Sequence, residues 1–125
     1  MGSKELLDKI LAIIDTHKAE EVIAFDVREL VSYTDYVVIC SGQSDRQVSA
    51  LATDVLNELK KENLLAIGVE GRSEGEWVLV DFGDVVVHVF DEPVRAFYNL
   101  EGLWGEAPRV PIASPRAAHA GRAAR

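Results

Sequence analysis

Cysteine occurs once in 125 residues, so the chain can form no internal disulfide and no multi-cysteine zinc site. Cys40 lies within the apolar run Tyr36-Val37-Val38-Ile39-Cys40, where a buried, unreactive thiol is expected. Long apolar runs are also missing. None approaches the ~20 residues that a membrane span needs, and Lys4, Glu5, Asp8 and Lys9 interrupt any signal-peptide core. Leu6 stands where N-myristoylation requires Ser or Thr, which excludes that pattern. A soluble, cytoplasmic protein without membrane association is expected. There is no nucleophile elbow, dinucleotide fingerprint or P-loop, and no internal repeat.

Positive charge is scarce where the chain is most apolar. The body up to Glu106 holds all 21 acidic residues and nine of the 13 basic ones, a net charge of −12, while Arg109, Arg116, Arg122 and Arg125 give the remainder +4. A body this acidic is repelled by phosphate backbones, so direct binding of nucleic acid is not expected and a basic protein partner is favoured. The plainer reading of the same composition is solubility alone. With 48% hydrophobic residues, the chain has enough apolar surface for one compact core, and its length is too short for two ordinary domains.

The apolar periodicity orders the elements. Leu6, Leu7, Ile10, Leu11, Ile13 and Ile14 predict an amphipathic helix over residues 3–17, with Ser3 placed to cap it. Residues 22–26 read as a strand, and residues 36–40 as a strand buried on both faces that ends at Ser41-Gly42-Gln43. Ser44 and Gln47 form a capping box before the stripe Val48, Leu51, Ala52, Val55, Leu56 and Leu59, which predicts a helix over 45–61. A third strand is expected over 66–70. Residues 77–82 and 85–90 then form a hairpin whose loop, Gly83-Asp84, suits a type II′ turn. That register puts Val78, Val80, Phe82, Val85, Val87 and Val89 on one wholly apolar face. Trp77, Leu79, Asp81, Val86, His88 and Phe90 share the other, whose mixture of aromatic anchors and polar groups suits the centre of an interface, or ordinary core if a helix covers it. Asp91 can cap a short helix with Pro93 in its first turn, running to a stop near Gly102. Residues 108–125, rich in Pro, Ala and Arg, are expected to form a disordered tail beyond a domain of residues 1–107. The order implies an α/β fold: one mixed five-stranded sheet with packed helices.

Chemistry-bearing groups are sparse. The strand-turn-helix element Ser41-Gly42-Gln43-Ser44 could turn backbone N–H groups toward a phosphate, much like the Gly-Ser element of nucleotidyltransferases. Those enzymes also need two carboxylates at alternate positions on a strand to hold divalent metal. Asp81 and Asp84 flank a turn instead, and the 66–70 strand offers only Glu70. His88 and Asp91 are too few for a metal site, and His17 and His119 stand apart from other ligands. No metal or cofactor is expected.

Five segments resemble the ribosomal silencing factor, or Iojap, family: Asp35-Tyr36-Val37-Val38-Ile39-Cys40-Ser41-Gly42, Ser44-Asp45-Arg46-Gln47-Val48, Glu70-Gly71 through Gly75-Glu76-Trp77-Val78-Leu79-Val80-Asp81, Gly83-Asp84-Val85-Val86-Val87-His88-Val89-Phe90, and Tyr98-Asn99-Leu100-Glu101-Gly102-Leu103-Trp104. They occur in order across about residues 5–107. The resemblance implies a nucleotidyltransferase-like fold without catalytic carboxylates. It also implies a translational repressor that binds a basic protein of the large ribosomal subunit, the fourteenth in the usual numbering, and sterically blocks joining of the small subunit. The positions carried over as partner-binding are Glu70, Trp77, Asp81, His88 and Asp91 around the hairpin, and Tyr98, Leu100, Glu101 and Trp104 after it. Nothing is carried onto the tail. Two other readings stay open: a residual nucleotide-binding enzyme using the Ser41-Gly42 turn, and a homodimeric adaptor whose Trp77 face pairs with itself. Monomer and homodimer are equally compatible with the sequence.

The missing carboxylate pair generates a first prediction. Isothermal titration with ATP, GTP, CTP and UTP in the presence of Mg²⁺ is expected to give no saturable binding in the micromolar range. Such binding would reopen the Ser41-Gly42 turn as a phosphate cradle.

Overall fold

The computed structural model describes residues 2–114 and 116–118. Its elements are α1 (Ser3–Thr16), β1 (Glu20–Asp26), β2 (Tyr36–Gly42), α2 (Asp45–Lys60), β3 (Gly68–Glu70), β4 (Trp77–Asp81), β5 (Val85–Asp91), α3 (Glu92–Tyr98) and α4 (Leu100–Leu103). The strands form one mixed sheet in the order β1-β2-β5-β4-β3. β2 and β5 run parallel at its centre, and the remaining neighbours are antiparallel. The expected α/β fold with a mixed five-stranded sheet is therefore present.

Side-chain alternation divides the interior into two layers. Tyr36, Val38 and Cys40 of β2, with Val78, Val80, Val85, Val87 and Val89 of the hairpin, point into a layer closed by Leu7, Ile10 and Ile14 of α1 and Val48, Leu51, Val55 and Leu59 of α2. Burying each Leu, Ile or Val of this layer stabilises the fold by about 1.5–3 kcal/mol. Val37 and Ile39 point the other way, into a second layer with Ile23, Phe25, Val27, Phe90, Trp104 and Ala107. The hairpin adopts the expected register, Val80 opposite Val87 and Val78 opposite Val89. Gly83 opens its two-residue loop at φ +87°, a left-handed conformation that favours glycine.

Local differences from the sequence reading have identifiable causes. β2 continues through Gly42 because Ser41 and Gly42 still pair with Phe90 and Asp91 of β5. Gly42 serves packing: a Cβ there would lie 3.0 Å from the backbone N of Val48. Ser44 Oγ accepts the Gln47 N–H at 3.1 Å as expected, but Gln47 Oε1 takes its reciprocal bond from Gln43 N, at 2.6 Å, one residue earlier than a capping box has it. Ser3 is the first residue of α1 rather than its cap, a position held by Gly2 without a side-chain bond. Asp91 does hold the N-cap position of α3, but its side chain makes no capping bond, and the helix starts on Pro93 in its first turn. β3 is confined to three residues, Gly68–Glu70.

The largest difference lies beyond residue 107. In place of an unstructured tail, residues 108–114 and 116–118 lie along the outer edge of β1. Pro108 O accepts from Asp26 N at 2.8 Å, Val110 N donates to Ala24 O at 2.8 Å, Arg116 O accepts from Val22 N at 2.9 Å, and Ala118 N donates to Val22 O at 2.8 Å. Val110 and Ile112 pack on the first core layer, while Arg116 pairs with Glu20 at 3.4 Å. The physical reason is that an edge strand offers unpaired N–H and C=O groups to any backbone, so this segment needs no apolar period of its own. Residues 119–125, the rest of the expected tail, lie outside the described residues.

Truncation after Ala107 is accordingly expected to destabilise the protein. Losing four backbone hydrogen bonds at ~0.5–1.5 kcal/mol each removes about 2 kcal/mol or more. A melting temperature lower by roughly 10 °C follows for a domain of this size. A melting temperature within a degree of the full chain would show that the segment adds nothing to stability.

Candidate functional site

The helices α1 and α2 cover one face of the sheet, and the short α3 and α4 cover only part of the other. Among the described residues, they leave open the β3-β4 side of that second face, whereas the β5 residues beside it, Val86, His88 and Phe90, are buried. Strand register lays its side chains out in rows: Glu70 beside Leu79 beside His88, and Gly68 beside Asp81 beside Val86. Trp77 stands beside Phe90 in the next row. The Trp77 ring stacks on Phe90 at 4.9 Å between centroids and meets the Tyr98 ring of α3 at 5.0 Å, tilted by 45°. Tyr98 is 56% exposed and Phe97, edge-on to it, is 81% exposed. A shallow hollow of about 280 Å³ lies between Glu70, Gly71, Trp77 and Leu79.

His88 forms the polar floor of this patch. Its Nδ1 accepts the Trp77 indole N–H at 3.0 Å, so the imidazole is neutral with its proton on Nε2. Burial pushes the His88 pKa down to about 4, because a charged ring in this apolar setting would be poorly solvated. The bond turns the polar edge of the indole inward, while Phe90 stacks on the ring and Tyr98 packs against it.

The nine positions carried over from the family resemblance separate in the structure. Trp77, His88, Asp81 and Glu70 do lie together on the open face, with Tyr98 at its end. Glu70 is exposed, while Asp81 is half-buried and accepts the Gly83 N–H at 2.7 Å, so its carboxylate also holds the hairpin turn. Asp91 is half-buried at the far end of β5. Leu100, Glu101 and Trp104 face inward instead. Leu100 packs on the second core layer, Trp104 belongs to it, and Glu101, 4% exposed, pairs with buried Arg95 at 2.9 Å. An exposed acidic role for Glu101 is therefore corrected: its carboxylate neutralises a guanidinium inside the protein. Phe97 is absent from the sequence reading of the site, although the adjacent aromatic pair Phe97-Tyr98 on a helix too short to bury both is a signal for it.

Among the described residues, no three or more His, Cys, Asp or Glu are grouped as a metal site. The Cys40 thiol is fully buried and pushed up to about 12, which keeps it protonated. At the Ser41-Gly42 turn the N–H groups of Gln43 and Gln47 are already occupied by side chains, so they are not free to hold a phosphate.

This part of the sheet thus gathers Trp77, His88 and Tyr98 beside the carboxylates of Glu70 and Asp81. Residues 1–125 match the family described as ribosomal silencing factor during starvation, RsfS. The chain is 43% identical over 108 residues to the ribosomal silencing factor RsfS of Bacillus subtilis, covering 86% of this chain and 92% of that one. A crystal structure of a protein from Chromobacterium violaceum superposes with a TM-score of 0.82 at 38% identity, covering 94% of this chain and 97% of that one. A more distant relative is the mouse protein named mitochondrial assembly of ribosomal large subunit protein 1, 31% identical over 107 residues, 83% of this chain and 47% of that one. The chain belongs to the ribosomal silencing factor family.

The His88 environment predicts a pH dependence. Its folded pKa, about 4, lies below the unfolded value of 6.5, so the unfolded chain binds the extra proton first and stability falls as pH drops from 6.5 toward 4. The full contribution is on the order of 3 kcal/mol. His88→Asn keeps an acceptor for Trp77 and has no proton to gain, so denaturant unfolding at pH 7 and pH 4.5 is expected to show a smaller acid loss than wild type. An equal loss in both proteins would assign the acid sensitivity to carboxylates.

Proposed function

We propose that this protein represses translation by binding the large ribosomal subunit through the Trp77 face, where it contacts a basic ribosomal protein, the fourteenth in the usual numbering. Its bulk then obstructs docking of the small subunit. The observation that carries the reading is the Trp77-His88-Tyr98 cluster, an aromatic anchor set bordered by Glu70 and Asp81 on a body of net charge −12. Acidic groups speed encounter with a basic partner, and desolvated aromatics supply most of the affinity. Membership of the ribosomal silencing factor family and the large-subunit assembly name of the mouse relative support the same partner. A contact of about 1,600 Å² in total is within reach of a domain this small and leaves most of it projecting as a block. The action is steric, takes place in the cytoplasm and needs no catalytic step or cofactor.

Purified large and small subunits, mixed with each variant and resolved on a sucrose gradient, test the proposal. Wild-type protein is expected to reduce the joined ribosomes. Trp77→Ala and Tyr98→Ala are each expected to weaken binding by about 2 kcal/mol or more, close to 30-fold. Glu70→Lys is expected to slow association and flatten its salt dependence. Unfolding measured alongside separates lost binding from lost folding. Both aromatic variants folding normally and still blocking joining as wild type does would place the contact elsewhere, and concentration-dependent sedimentation abolished by Trp77→Ala would favour the homodimeric adaptor.

A further inference from the structure

We propose that Arg95 is the positioning residue of the docking surface: it fixes α3 and α4 on the end of the sheet, and with them Tyr98 and Phe97, without touching the partner. This inference rests on the docking face proposed above.

Arg95 is the largest side chain to be fully buried among the described residues, with no exposed surface at all. Its guanidinium joins its own helix, α3, to the neighbouring α4 and to the remote strands β1 and β2. Nε and Nη2 donate to Oε1 and Oε2 of Glu101 on α4 at 2.9 and 3.1 Å. Nη1 donates to Ser41 Oγ at the end of β2 at 2.7 Å and to the backbone O of Glu21 in β1 at 2.8 Å. Glu21 adopts φ +49° where the β1-β2 register slips between Glu20 and Ile23, and its carbonyl bonds the guanidinium. A non-glycine residue held in that region signals a backbone position fixed by its surroundings, here in part by the Arg95 bond.

The two helices need such a fixture. α3 has seven residues and α4 four, far below the length at which a helix holds itself in water. Between them Asn99 takes a left-handed turn at φ +47°, so the chain changes direction immediately after Tyr98. Val94 and Leu100 attach the pair to the second core layer, but apolar contact is non-directional and does not set rotation about the helix axis. The planar, two-pronged bond from Arg95 to Glu101 does, because its geometry is fixed in both partners. Phe97, edge-on to Tyr98, then projects beside it, and Tyr98 stays against Trp77. A buried ion pair contributes little net stability compared with apolar groups of similar volume, so the charge pair is better explained by the arrangement it imposes than by the stability it adds.

The test replaces the pair by apolar groups. Arg95→Met/Glu101→Met leaves no unpaired buried charge, whereas either single change would. The chain has two tryptophans, hence two indole N–H signals in an NMR spectrum, and the Trp77 ring gives a cross-relaxation contact to the Tyr98 ring in wild type. The double variant is expected to unfold cooperatively near the wild-type temperature, to lose that contact, and to bind large subunits about tenfold or more weakly. Added to Tyr98→Ala, it is expected to weaken binding by less than about twofold further, since both changes remove the same anchor. A retained Trp77-Tyr98 contact with wild-type affinity overturns the role of Arg95. A lost contact with wild-type affinity overturns the docking face itself, so the two failures are distinct. Should the double variant not fold, Arg95→Lys keeps the charge but not the fork and is read in the same two ways, with wild-type contact and affinity again overturning the proposal.

Discussion

Burial of β2 on every side is the constraint from which the architecture follows. All seven of its residues are buried, and it is hydrogen-bonded along both edges, antiparallel to β1 and parallel to β5. A parallel partner requires the chain to cross over the sheet, and the crossover brings α2 onto one face, where α1 joins it. The other face has to be closed by whatever follows β5. Only two short helices and a few further residues, Trp104 and Ala107 among them, do so, and they cover the β1-β2-β5 side. The β3-β4 side stays open because none of the described segments is placed to cover it. The candidate surface is thus the remainder of an incomplete layer.

Side-chain periodicity made α1, α2 and the hairpin legible from sequence, since each buries one regular stripe or one alternating face. The assignment of Trp77 and Leu79 to a face opposite the valines was legible for the same reason. Arg95 and Glu101 were not: isolated charges read as solvated, and nothing in their spacing of six shows that a left-handed residue between them folds one helix onto the other. Glu101 was consequently read as a contact residue when it is an internal counter-charge. The segment after residue 107 was missed because its attachment is made by backbone groups, which leave no trace in side-chain pattern. Proline and alanine then suggested disorder where the decisive feature was an available strand edge.

Charge is distributed in a way that composition alone conceals. The basic residues that follow Glu106 include Arg109 and Arg116, and these lie along β1, Arg116 beside Glu20. β1 and β3 are opposite edges of the sheet. The charge of these two arginines is therefore placed on the side away from Trp77, at the opposite edge from Glu70. Two polar arrangements serve different ends: the Trp77-His88 bond orients a partly buried ring, whereas the Arg95-Glu101 pair orients helices.

The segment that covers β1 also sets a schedule for folding. Its partners are remote, Ser114 with Asp15 across 99 positions and Arg116 with Glu20 across 96. Contacts of such separation form late, because a long loop must close before they contribute anything. Until then β1, made early in the chain, presents a bare row of donors and acceptors of the kind that recruits a strand from a neighbouring molecule. The interval between making β1 and sealing it is the period in which this protein is most exposed to misassembly, and the rate at which the segment from Pro108 onward finds its place governs how long that period lasts.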